Sequence, residues 1–371
     1  MHAGLYVHFP FCAAKCPYCH FYSKPWKEAD FRIWRDSLEK EAAGSAPPPD
    51  LLFDTLYLGG GTPSLLGPDE VAWVRDLALD RFPLGIAEFT LEANPAAGGV
   101  DFLRGWREAG VTRLSIGVQS FDDGVLRTLG RPYSAAEALG FCRAARQAGT
   151  DALAVDLMIG IPGQTRRAVE RSAAALLELE PDHVSLYFLE NVEGLPFAEV
   201  LARRPVDEDA AVGQYWRTKD VLEAAGLRQY EISNFARPGK ECRHNLKYWR
   251  YEPFIGLGPS AGSHAGGSRW RNKPTLESWA EAVGRNGTAR EEVVELEPAL
   301  AAREALVFGL RLVEGVDVAA LEERSGIDVH SLYAREIDEL VAEGLLVRAG
   351  RRLRIPAGNL LVSNAILSRF V

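Results

Sequence analysis

The stretch LYVHFPFCAAKCPYC, residues 5–19, joins an apolar run of strand length to three cysteines within eight residues. The run is Leu5–Phe9, and Cys12, Cys16 and Cys19 follow it with the spacing C-x3-C-x2-C. Thiolates are the usual ligands of iron–sulfur clusters, and cysteines this close in one loop can wrap one face of a cluster. Three ligands for a [4Fe–4S] cluster would leave one iron open to a small molecule.

The cysteine spacing by itself leaves two other interpretations open. The loop could bind zinc with His20 as the fourth ligand, or Cys16 and Cys19 could form a redox pair. Zinc sites more often combine two C-x2-C units, and the sequence has no second unit. Five cysteines in 371 residues, three of them in this loop, favour a metal site in a reducing compartment over a disulfide framework.

The composition narrows the class of protein. A net charge of −9 argues against a general nucleic-acid binder, which needs a basic surface. The N-terminus MHAGLYVHFPFC lacks the basic and apolar regions of a signal peptide. The sequence has no apolar run of about 18 residues, so we expect no transmembrane segment. These features together predict a cytoplasmic protein that binds no nucleic acid.

Segments of strand and helix pattern alternate over the first 235 residues. This alternation predicts βαβ units with right-handed crossovers and a parallel sheet, but does not separate a barrel from an open sheet. The predicted strands are Leu5–Phe9, Thr55–Leu58, Glu88–Glu92, Arg113–Val118, Ala152–Ile159, Val184–Leu189 and Gln229–Ile232. The predicted helices include 31–43, 71–79 and 135–148, the last with a capping box at Ser134 and Glu137 and with Gly149 at its end.

Glycines and polar residues follow these predicted strands. The segment Gly59–Pro63, GGGTP, follows the second strand, and its glycines let the backbone approach a ligand closely. Glu92, Gln119, Arg131 and Asp156 lie at or just beyond other strand ends, where each alone would usually be a surface or capping residue. Ligands collect at the carboxyl ends of parallel strands. Together these residues could bind a zwitterionic amino acid and a ribose, with Arg131 facing the carboxylate.

The last third of the chain has a different pattern. Residues 236–297 are rich in Gly, Pro, Trp and Asn and predict a bridging segment of loops. Helices are predicted near 299–312, 317–325 and 331–343, followed by a hairpin around Ala349-Gly350, which together resemble a winged helix. Residues 299–371 hold nine arginines, no lysine and ten acidic residues, so a structural or partner-docking role is favoured over DNA binding.

Two further cysteines lie outside the N-terminal loop. Cys142 lies in an amphipathic helical pattern and is predicted to be a core residue. Cys242 lies between Glu241 and Arg243 and could equally be a surface thiol.

An ordered set of motifs resembles a known family. CAAKCPYC after YVHFPF, then GGGTPS, LEANP, RLSIGVQSF, GRPYS and DLMIGIPGQT, resembles the radical S-adenosylmethionine superfamily. More narrowly, YEISNFARPG followed by HNLKYW and GLGPSAGSH resembles the branch that contains oxygen-independent coproporphyrinogen III oxidases and the related heme chaperones. The resemblance covers nearly the whole chain.

The resemblance implies an α/β fold in three parts. These are a partial (β/α)6-type barrel over residues 1–235, a bridging segment with the HNLKYW element over 236–297, and a small winged-helix-like α+β domain over 298–371. It implies a [4Fe–4S] cluster on Cys12, Cys16 and Cys19. It also implies an electron donor, because one electron from the cluster cleaves S-adenosylmethionine to a 5′-deoxyadenosyl radical in this family. The residues that would contact S-adenosylmethionine are Tyr6, Tyr18, Gly60, Gly61, Thr62, Glu92, Gln119, Arg131 and Asp156.

Three features favour the chaperones over the oxidases within this branch. The oxidases carry a further cysteine two residues after the third ligand, where this chain has Phe21, and they have an N-terminal extension before the cluster motif. The HNLKYW element resembles the chaperone segment implicated in heme binding: His244 offers an imidazole to heme iron, and Tyr248 and Trp249 offer apolar surface. A hydrogen-bonded loop histidine is the alternative for His244. His20 is a departure, because the chaperones usually have an acidic residue there.

The expected function is therefore that of a heme-binding, cluster-containing chaperone that delivers heme to apo-hemoproteins. The main alternative is an oxygen-independent coproporphyrinogen III oxidase, which decarboxylates its substrate oxidatively through a substrate radical. A third alternative is a zinc-dependent binding protein without radical chemistry. No catalytic residue is predicted.

Overall fold

The computed structural model describes residues 1–95 and 98–371. Its strands are β1 (His2–Phe9), β2 (Phe11–Cys12), β3 (Lys24–Pro25), β4 (Leu52–Gly60), β5 (Leu84–Ala93), β6 (Arg113–Gln119), β7 (Ala152–Ile159), β8 (His183–Phe188), β9 (Arg228–Gln229), β10 (Asn234–Ala236), β11 (Phe254–Leu257), β12 (Gly262–Ala265), β13 (Ser268–Asn272), β14 (Arg290–Glu295), β15 (Val316–Asp317), β16 (Val347–Ala349) and β17 (Arg352–Arg354).

Its α-helices are α1 (Glu28–Gly44), α2 (Pro68–Arg81), α3 (Val100–Glu108), α4 (Asp123–Thr128), α5 (Ala135–Gln147), α6 (Arg166–Leu177), α7 (Pro196–Arg203), α8 (Glu208–Ala224), α9 (Arg243–Trp249), α10 (Leu276–Asn286), α11 (Pro298–Gly309), α12 (Val318–Ser325), α13 (Val329–Leu332), α14 (Ala334–Ala342) and α15 (Ser363–Leu367). Short 3-10 helices span Pro63–Leu65, Ala357–Val362 and Ser368–Phe370. No helix in the described ranges is both long and apolar enough to cross a membrane.

Six parallel strands, β1 and β4–β8, form the centre of one large sheet. The order of that sheet is β14-β13-β12-β11-β1-β4-β5-β6-β7-β8-β10-β9. Helices α1, α2, α3, α5 and α6 lie on the five crossovers between successive parallel strands, and α8 follows β8, which gives six β/α units. Among the described residues, the two outer strands β14 and β9 do not pair with each other, so the barrel is a partial one. The predicted α/β partial barrel is confirmed.

The two faces of the parallel strands have different compositions. Register places Leu5 beside Leu56 on one face and Tyr6 beside Tyr57 on the other. The leucine face is buried in the main core, which the helices cover. The tyrosine face continues across the sheet as polar pairs, such as Glu92 beside Ser115 and Asp156 beside Ser185. Because side chains alternate along a strand, this pattern directs a polar surface into the barrel.

Most of the predicted elements of the barrel are confirmed. The first six predicted strands lie in β1 and β4–β8, and the Ser134–Glu137 capping box opens α5 as predicted. The seventh predicted strand, Gln229–Ile232, is wrong beyond Gln229. The chain turns there, because the Gln229 side-chain amide donates to Ile232 O at 3.0 Å and Tyr230 N donates to Asn234 O at 3.0 Å.

The prediction of loops over residues 236–297 is also wrong. This segment contains α9, α10 and four strands, and β11 extends the sheet beyond β1 by parallel pairing of Ile255 with Leu5. Its glycines allow strands to pack closely: a Cβ on Gly256 would lie 2.2 Å from Gly262 O. Cys242 is buried rather than at the surface, while Cys142 is a core residue as predicted.

The C-terminal part packs around a core of its own. Leu306, Leu340, Leu353 and Phe370 belong to this second core, which includes no residue before Ala302 among its buried members. Strands β16 and β17 form the predicted hairpin, with Gly350 in the left-handed region at φ 62°. The third predicted helix is divided into α13 and α14. The small α+β domain is confirmed.

Candidate functional site

A cavity of about 400 Å³ opens at the carboxyl ends of the parallel strands. Its lining includes the three cysteines of the N-terminal loop and eight of the nine residues predicted to contact S-adenosylmethionine: Tyr18, Gly60, Gly61, Thr62, Glu92, Gln119, Arg131 and Asp156. The ninth, Tyr6, does not line the cavity. It lies deeper along β1, where its hydroxyl bonds His8 Nδ1 at 2.9 Å. The topology therefore collects residues from six separate segments of the chain into one site.

The cysteine loop runs between β2 and β3 along one side of this cavity. Cys19 N donates to Cys16 O at 3.1 Å and closes a turn within the loop, and both residues line the cavity. Burial raises the pKa of the Cys19 thiol, and the neighbouring Cys16 and Cys12 raise it further. In the described residues no three potential ligands converge as they would around a single metal ion.

The glycine segment after β4 forms the adjoining wall. A Cβ on Gly61 would lie 2.5 Å from Phe11 O, so only glycine lets this segment pass β2 so closely. Gly60 has φ 111°, a conformation that side chains disfavour, and its N–H donates to Glu92 Oε2 at 2.9 Å. Thr62 N donates to Phe11 O at 2.7 Å. These bonds hold the backbone at the edge of the cavity, where neither glycine has a side chain that would block a ligand.

Two half-buried carboxylates line this cavity. Glu92 accepts hydrogen bonds from Tyr57 Oη at 2.8 Å and from Gly60 N, and burial raises its pKa. Burial also raises the pKa of Asp156 to about 6, with Glu92 contributing in the same direction. Asp156 Oδ1 is buried without a hydrogen-bond partner among the described residues. Because an unsatisfied buried acceptor is costly, this oxygen fits a ligand that donates, such as an ammonium or a ribose hydroxyl.

Arg131 links the cysteine loop to the strand ends. Its Nη1 donates to Cys16 Sγ at 3.2 Å, and its Nη2 donates to Asn94 Oδ1 at 2.6 Å and to Gly117 O. The first of these bonds places the guanidinium directly beside one of the three thiols of the loop. Gln119 ends β6 with a positive φ of 68°, which turns its side chain at the cavity edge. The donor set and the unpaired acceptor thus fit a cluster with an attached zwitterionic ligand.

The HNLKYW element forms helix α9, away from this cavity. His244 is buried, with Nδ1 bonded to Thr55 Oγ1 at 2.8 Å and Nε2 bonded to Tyr248 Oη at 2.8 Å. Burial lowers its pKa to about 3, with Lys247 acting in the same direction. This is the hydrogen-bonded state that the alternative interpretation describes. Trp249 packs instead against Phe308 of the C-terminal domain, at 6.3 Å between ring centroids. None of the three predicted heme contacts lines the cavity.

Several residues that contribute to the site were not predicted from the sequence. Asn94 bonds both Arg131 and Thr62, and Tyr133 bonds Arg131 Nε at 2.6 Å. Both residues belong to motifs quoted above, LEANP and GRPYS, so membership of these motifs could have predicted their role in the site. Tyr187 lines the cavity from the end of β8 and is 40% exposed there. No sequence signal distinguishes it from other aromatic residues at strand ends.

Comparison with known proteins identifies the family. Residues 6–176 match the Radical SAM superfamily, and residues 296–358 match the HemN C-terminal domain. The chain is 30% identical to the heme chaperone HemW of Bacillus subtilis, over 99% of this chain and 98% of the relative. The chain belongs to the radical S-adenosylmethionine superfamily, in its HemW-like branch. It is also 35% identical to mouse mitochondrial radical S-adenosyl methionine domain-containing protein 1, over 98% and 86% of the two chains.

A solved structure of the same superfamily shares the fold. The coproporphyrinogen III oxidase HemN of Escherichia coli superposes with a TM-score of 0.86 at 23% identity, over 100% of this chain and 89% of that chain. This similarity extends over both the barrel and the C-terminal domain. Membership of the radical S-adenosylmethionine superfamily implies a [4Fe–4S] cluster and S-adenosylmethionine as cofactors.

Proposed function

We propose that this chain is a heme chaperone of the HemW type, which binds heme and delivers it to apo-hemoproteins. The observation that carries this proposal is the similarity to HemW along the whole length of both chains, 30% in Bacillus subtilis and 32% in Escherichia coli. The HemN oxidase shares the fold at only 23% identity. Phe21, where the oxidases carry a further cysteine, supports the same choice.

The proposed cofactor site is the cavity at the strand ends. Cys12, Cys16 and Cys19 would hold the cluster through their thiolates, and the bound cluster would supply the electron that cleaves the sulfonium of S-adenosylmethionine. Arg131 would hold the carboxylate of that ligand, and Asp156 would accept from its ammonium or ribose hydroxyls. The glycine segment would let the ligand contact backbone. Because the three cysteines must stay reduced, we propose that the protein acts in the cytoplasm. A separate electron donor would reduce the cluster.

The decisive experiment separates the chaperone from the oxidase. Anaerobically reconstituted protein is incubated with coproporphyrinogen III, a reductant and S-adenosylmethionine, and carbon dioxide and the divinyl product are measured. We expect no product at enzyme-like rates, and transfer of heme to an apo-hemoprotein in a parallel spectroscopic assay. Rapid product formation would overturn the chaperone proposal in favour of the oxidase.

Metal analysis of the same preparation tests the cofactor. The reconstituted protein should be brown, with about four irons per chain. A Cys16→Ser variant should lose most of this iron, while Cys142→Ser, which changes a buried thiol outside the site, should keep it. Colourless protein with stoichiometric zinc would contradict the cluster and support the zinc alternative.

A further inference from the structure

Tyr57 lies behind the half-buried carboxyl group of Glu92. Its hydroxyl donates to Glu92 Oε1 at 2.8 Å, while Gly60 N donates to Oε2 at 2.9 Å. Glu92 lines the cavity at the strand ends, but Tyr57 does not. Any effect of the Tyr57 hydroxyl on a ligand in this cavity must therefore pass through Glu92.

The sheet register explains why these two side chains meet. Tyr57 of β4 lies beside Thr90 of β5, and Glu92 is two residues further along β5. Because side chains alternate along a strand, Thr90 and Glu92 share the face that Tyr57 occupies. A Cβ on Gly59 would lie 2.7 Å from Tyr57 Cε1 and 2.9 Å from Glu92 Cδ. Glycine at position 59 thus leaves the space in which the hydroxyl reaches the carboxyl group.

The ring of Tyr57 is packed on its other sides by aromatic side chains. It lies against Tyr6 with ring centroids 6.0 Å apart, and against His244 of α9 with ring centroids 5.1 Å apart. Two hydrogen bonds hold His244 in turn, one with Thr55 and one with Tyr248. Helix α9 therefore supports the ring that carries the hydroxyl.

The partners of Glu92 in the described part of the chain are neutral. They are the Tyr57 hydroxyl and the Gly60 N–H. Burial raises the pKa of Glu92, and these two donors counteract that effect. Burial raises the pKa of Tyr57 well above its ordinary value, so the hydroxyl keeps its proton and remains a donor. A carboxylate held only by neutral donors is suited to a ligand that brings a positive charge.

Other titratable groups around Glu92 come from four elements. They are Tyr6 of β1, Asp156 of β7, Tyr187 of β8 and Tyr248 of α9. Burial raises the pKa of each tyrosine, so these three side chains are neutral near pH 7. Burial and Glu92 raise the pKa of Asp156 to about 6, so Asp156 also titrates in this range. A comparison between variants that all retain Asp156 removes its contribution.

We propose that Tyr57 is a positioning residue for S-adenosylmethionine, whose hydroxyl orients the Glu92 carboxylate toward the ligand and stabilises its negative charge. The inference rests on the proposed function, because it assumes that S-adenosylmethionine occupies this cavity. Tyr57 acts through Glu92 and does not touch the ligand. Helix α9 contributes to the cofactor site in the same way, because His244 supports the tyrosine ring.

The test is a double-mutant cycle on the affinity for S-adenosylmethionine, measured by equilibrium dialysis of anaerobically reconstituted protein. Wild type, Tyr57→Phe, Glu92→Ala and the double variant are compared, with iron content measured for each. We expect Tyr57→Phe to bind about tenfold or more weakly, the scale of one lost hydrogen bond to a charged group. In the Glu92→Ala background the same change should cost less than about twofold, because no carboxylate is left to orient.

The pH dependence of the affinity separates positioning from a loss of packing. Without the Tyr57 hydroxyl the pKa of Glu92 rises further, because a donor to its charged form is lost. Affinity that needs the ionised carboxylate falls as pH drops through this pKa, so Tyr57→Phe should lose affinity at a higher pH than wild type. Phenylalanine keeps the ring that packs on His244, so packing alone would not cause this shift.

The matched control is Tyr251→Phe. Tyr251 Oη also donates to a carboxylate, Glu304 Oε2 at 2.6 Å, but this pair lies outside the cavity. Tyr251→Phe should therefore match wild type in affinity and in pH dependence.

The possible outcomes separate this inference from the proposed function. Wild-type affinity and pH dependence in Tyr57→Phe would overturn the inference and leave the proposed function standing. Equal losses from Tyr57→Phe with and without Glu92 would also overturn it, as would a loss of cluster iron in Tyr57→Phe, because Tyr57 would then serve the fold. Wild-type protein that binds no S-adenosylmethionine would overturn the proposed cofactor site itself.

Discussion

Arg131 is the residue that couples the metal loop to the rest of the site. Its planar fork reaches Cys16 Sγ with one nitrogen, and Asn94 Oδ1 and Gly117 O with the other. A lysine carries the same charge on a single ammonium and cannot reproduce these directions together. The geometry of the guanidinium, more than its charge, therefore fixes the positions of Cys16, Asn94 and Gly117 at this side of the cavity.

We predict that Arg131→Lys weakens S-adenosylmethionine binding by about 10- to 100-fold, the equivalent of one or two lost charged hydrogen bonds. Equilibrium dialysis with reconstituted protein measures the affinity, and iron content verifies that the cluster is retained. Arg127→Lys, on the exposed side of α4, is the matched control and should leave the affinity unchanged. Equal affinities for the two variants would contradict the role of Arg131.

His244 is a buried structural residue in this conformation. Its two nitrogens join Thr55, on β4, to Tyr248 within α9. A Cβ on Gly4 would lie 2.9 Å from the imidazole, so the ring fills its space closely. Substitution of His244 should therefore lower the stability of the fold, whether or not it affects ligand binding.

We predict that His244→Phe lowers the free energy of unfolding by about 2–4 kcal/mol at pH 7, because the Thr55 and Tyr248 hydroxyls lose their buried partner. Denaturant unfolding of the protein measures this loss. The exposed His330→Phe should change stability by less than about 0.5 kcal/mol. A fully stable His244→Phe that has lost heme binding would instead support direct ligation by His244.

The same substitution should have a smaller effect at low pH. Burial lowers the pKa of His244 from 6.5 to about 3, so between these values the unfolded chain binds a proton that the folded chain does not. Wild type therefore loses about 1.4 kcal/mol per pH unit below 6.5 through this residue, and the phenylalanine variant does not. The difference in unfolding free energy between the two proteins should shrink by about 2 kcal/mol from pH 7 to pH 5. A difference independent of pH would exclude a neutral buried imidazole.

Helix α9 depends on a residue from another element for its N-terminus. Its N-cap residue Cys242 makes no side-chain capping bond. Instead Glu88 of β5 accepts from Arg243 N and His244 N, each at 3.1 Å. A carboxylate at this end also interacts favourably with the helix dipole. A seven-residue helix is too short to be stable alone, so its structure depends on this contact and on packing.

We predict that Glu88→Ala accelerates amide hydrogen exchange over residues 243–249 by about 2- to 30-fold, since a lost cap costs about 0.5–2 kcal/mol. Mass spectrometry of exchanged peptides localises the effect. Glu108→Ala, at the exposed end of α3, removes a carboxylate without removing a cap and should leave this region unchanged. Unaltered exchange in Glu88→Ala would show that packing alone holds α9.

At the scale of the whole molecule, the C-terminal domain has a core of its own and joins the rest of the chain through hydrogen bonds and aromatic packing. Val313 N donates to Tyr230 O at 3.0 Å, and Tyr251 Oη donates to Glu304 Oε2 at 2.6 Å. These bonds connect the C-terminal domain to the end of the sheet and to the segment after α9, away from the cavity. A boundary near residue 298 is therefore our proposal for where the domains can respond independently.

We predict that Leu340→Ala destabilises the C-terminal domain by about 2–5 kcal/mol, because it leaves a cavity in the second core. Faster hydrogen exchange should be confined to residues 298–371, and the affinity for S-adenosylmethionine should be unchanged. Leu332→Ala, at a leucine that is 51% exposed, is the control and should have little effect. Weakened S-adenosylmethionine binding in Leu340→Ala would show that the two domains act as one unit.

The sequence by itself determined the features that depend on neighbours along the chain. The cysteine spacing, the glycines after β4, the alternation that defines six strands and the Ser134 capping box are all local patterns, and the topology rule for parallel strands then brings their ends together. Eight predicted ligand contacts consequently line one cavity.

Only the tertiary structure decided the features that depend on partners far along the chain. His244 is engaged by Thr55, 189 positions away, and β11 pairs with β1, so neither the burial of the histidine nor the sheet extension could be inferred from local pattern. His20 and Tyr187 likewise come to one cavity from opposite ends of the barrel sequence. A polar or aromatic side chain has many possible partners of similar energy, and the packing of the whole chain selects among them.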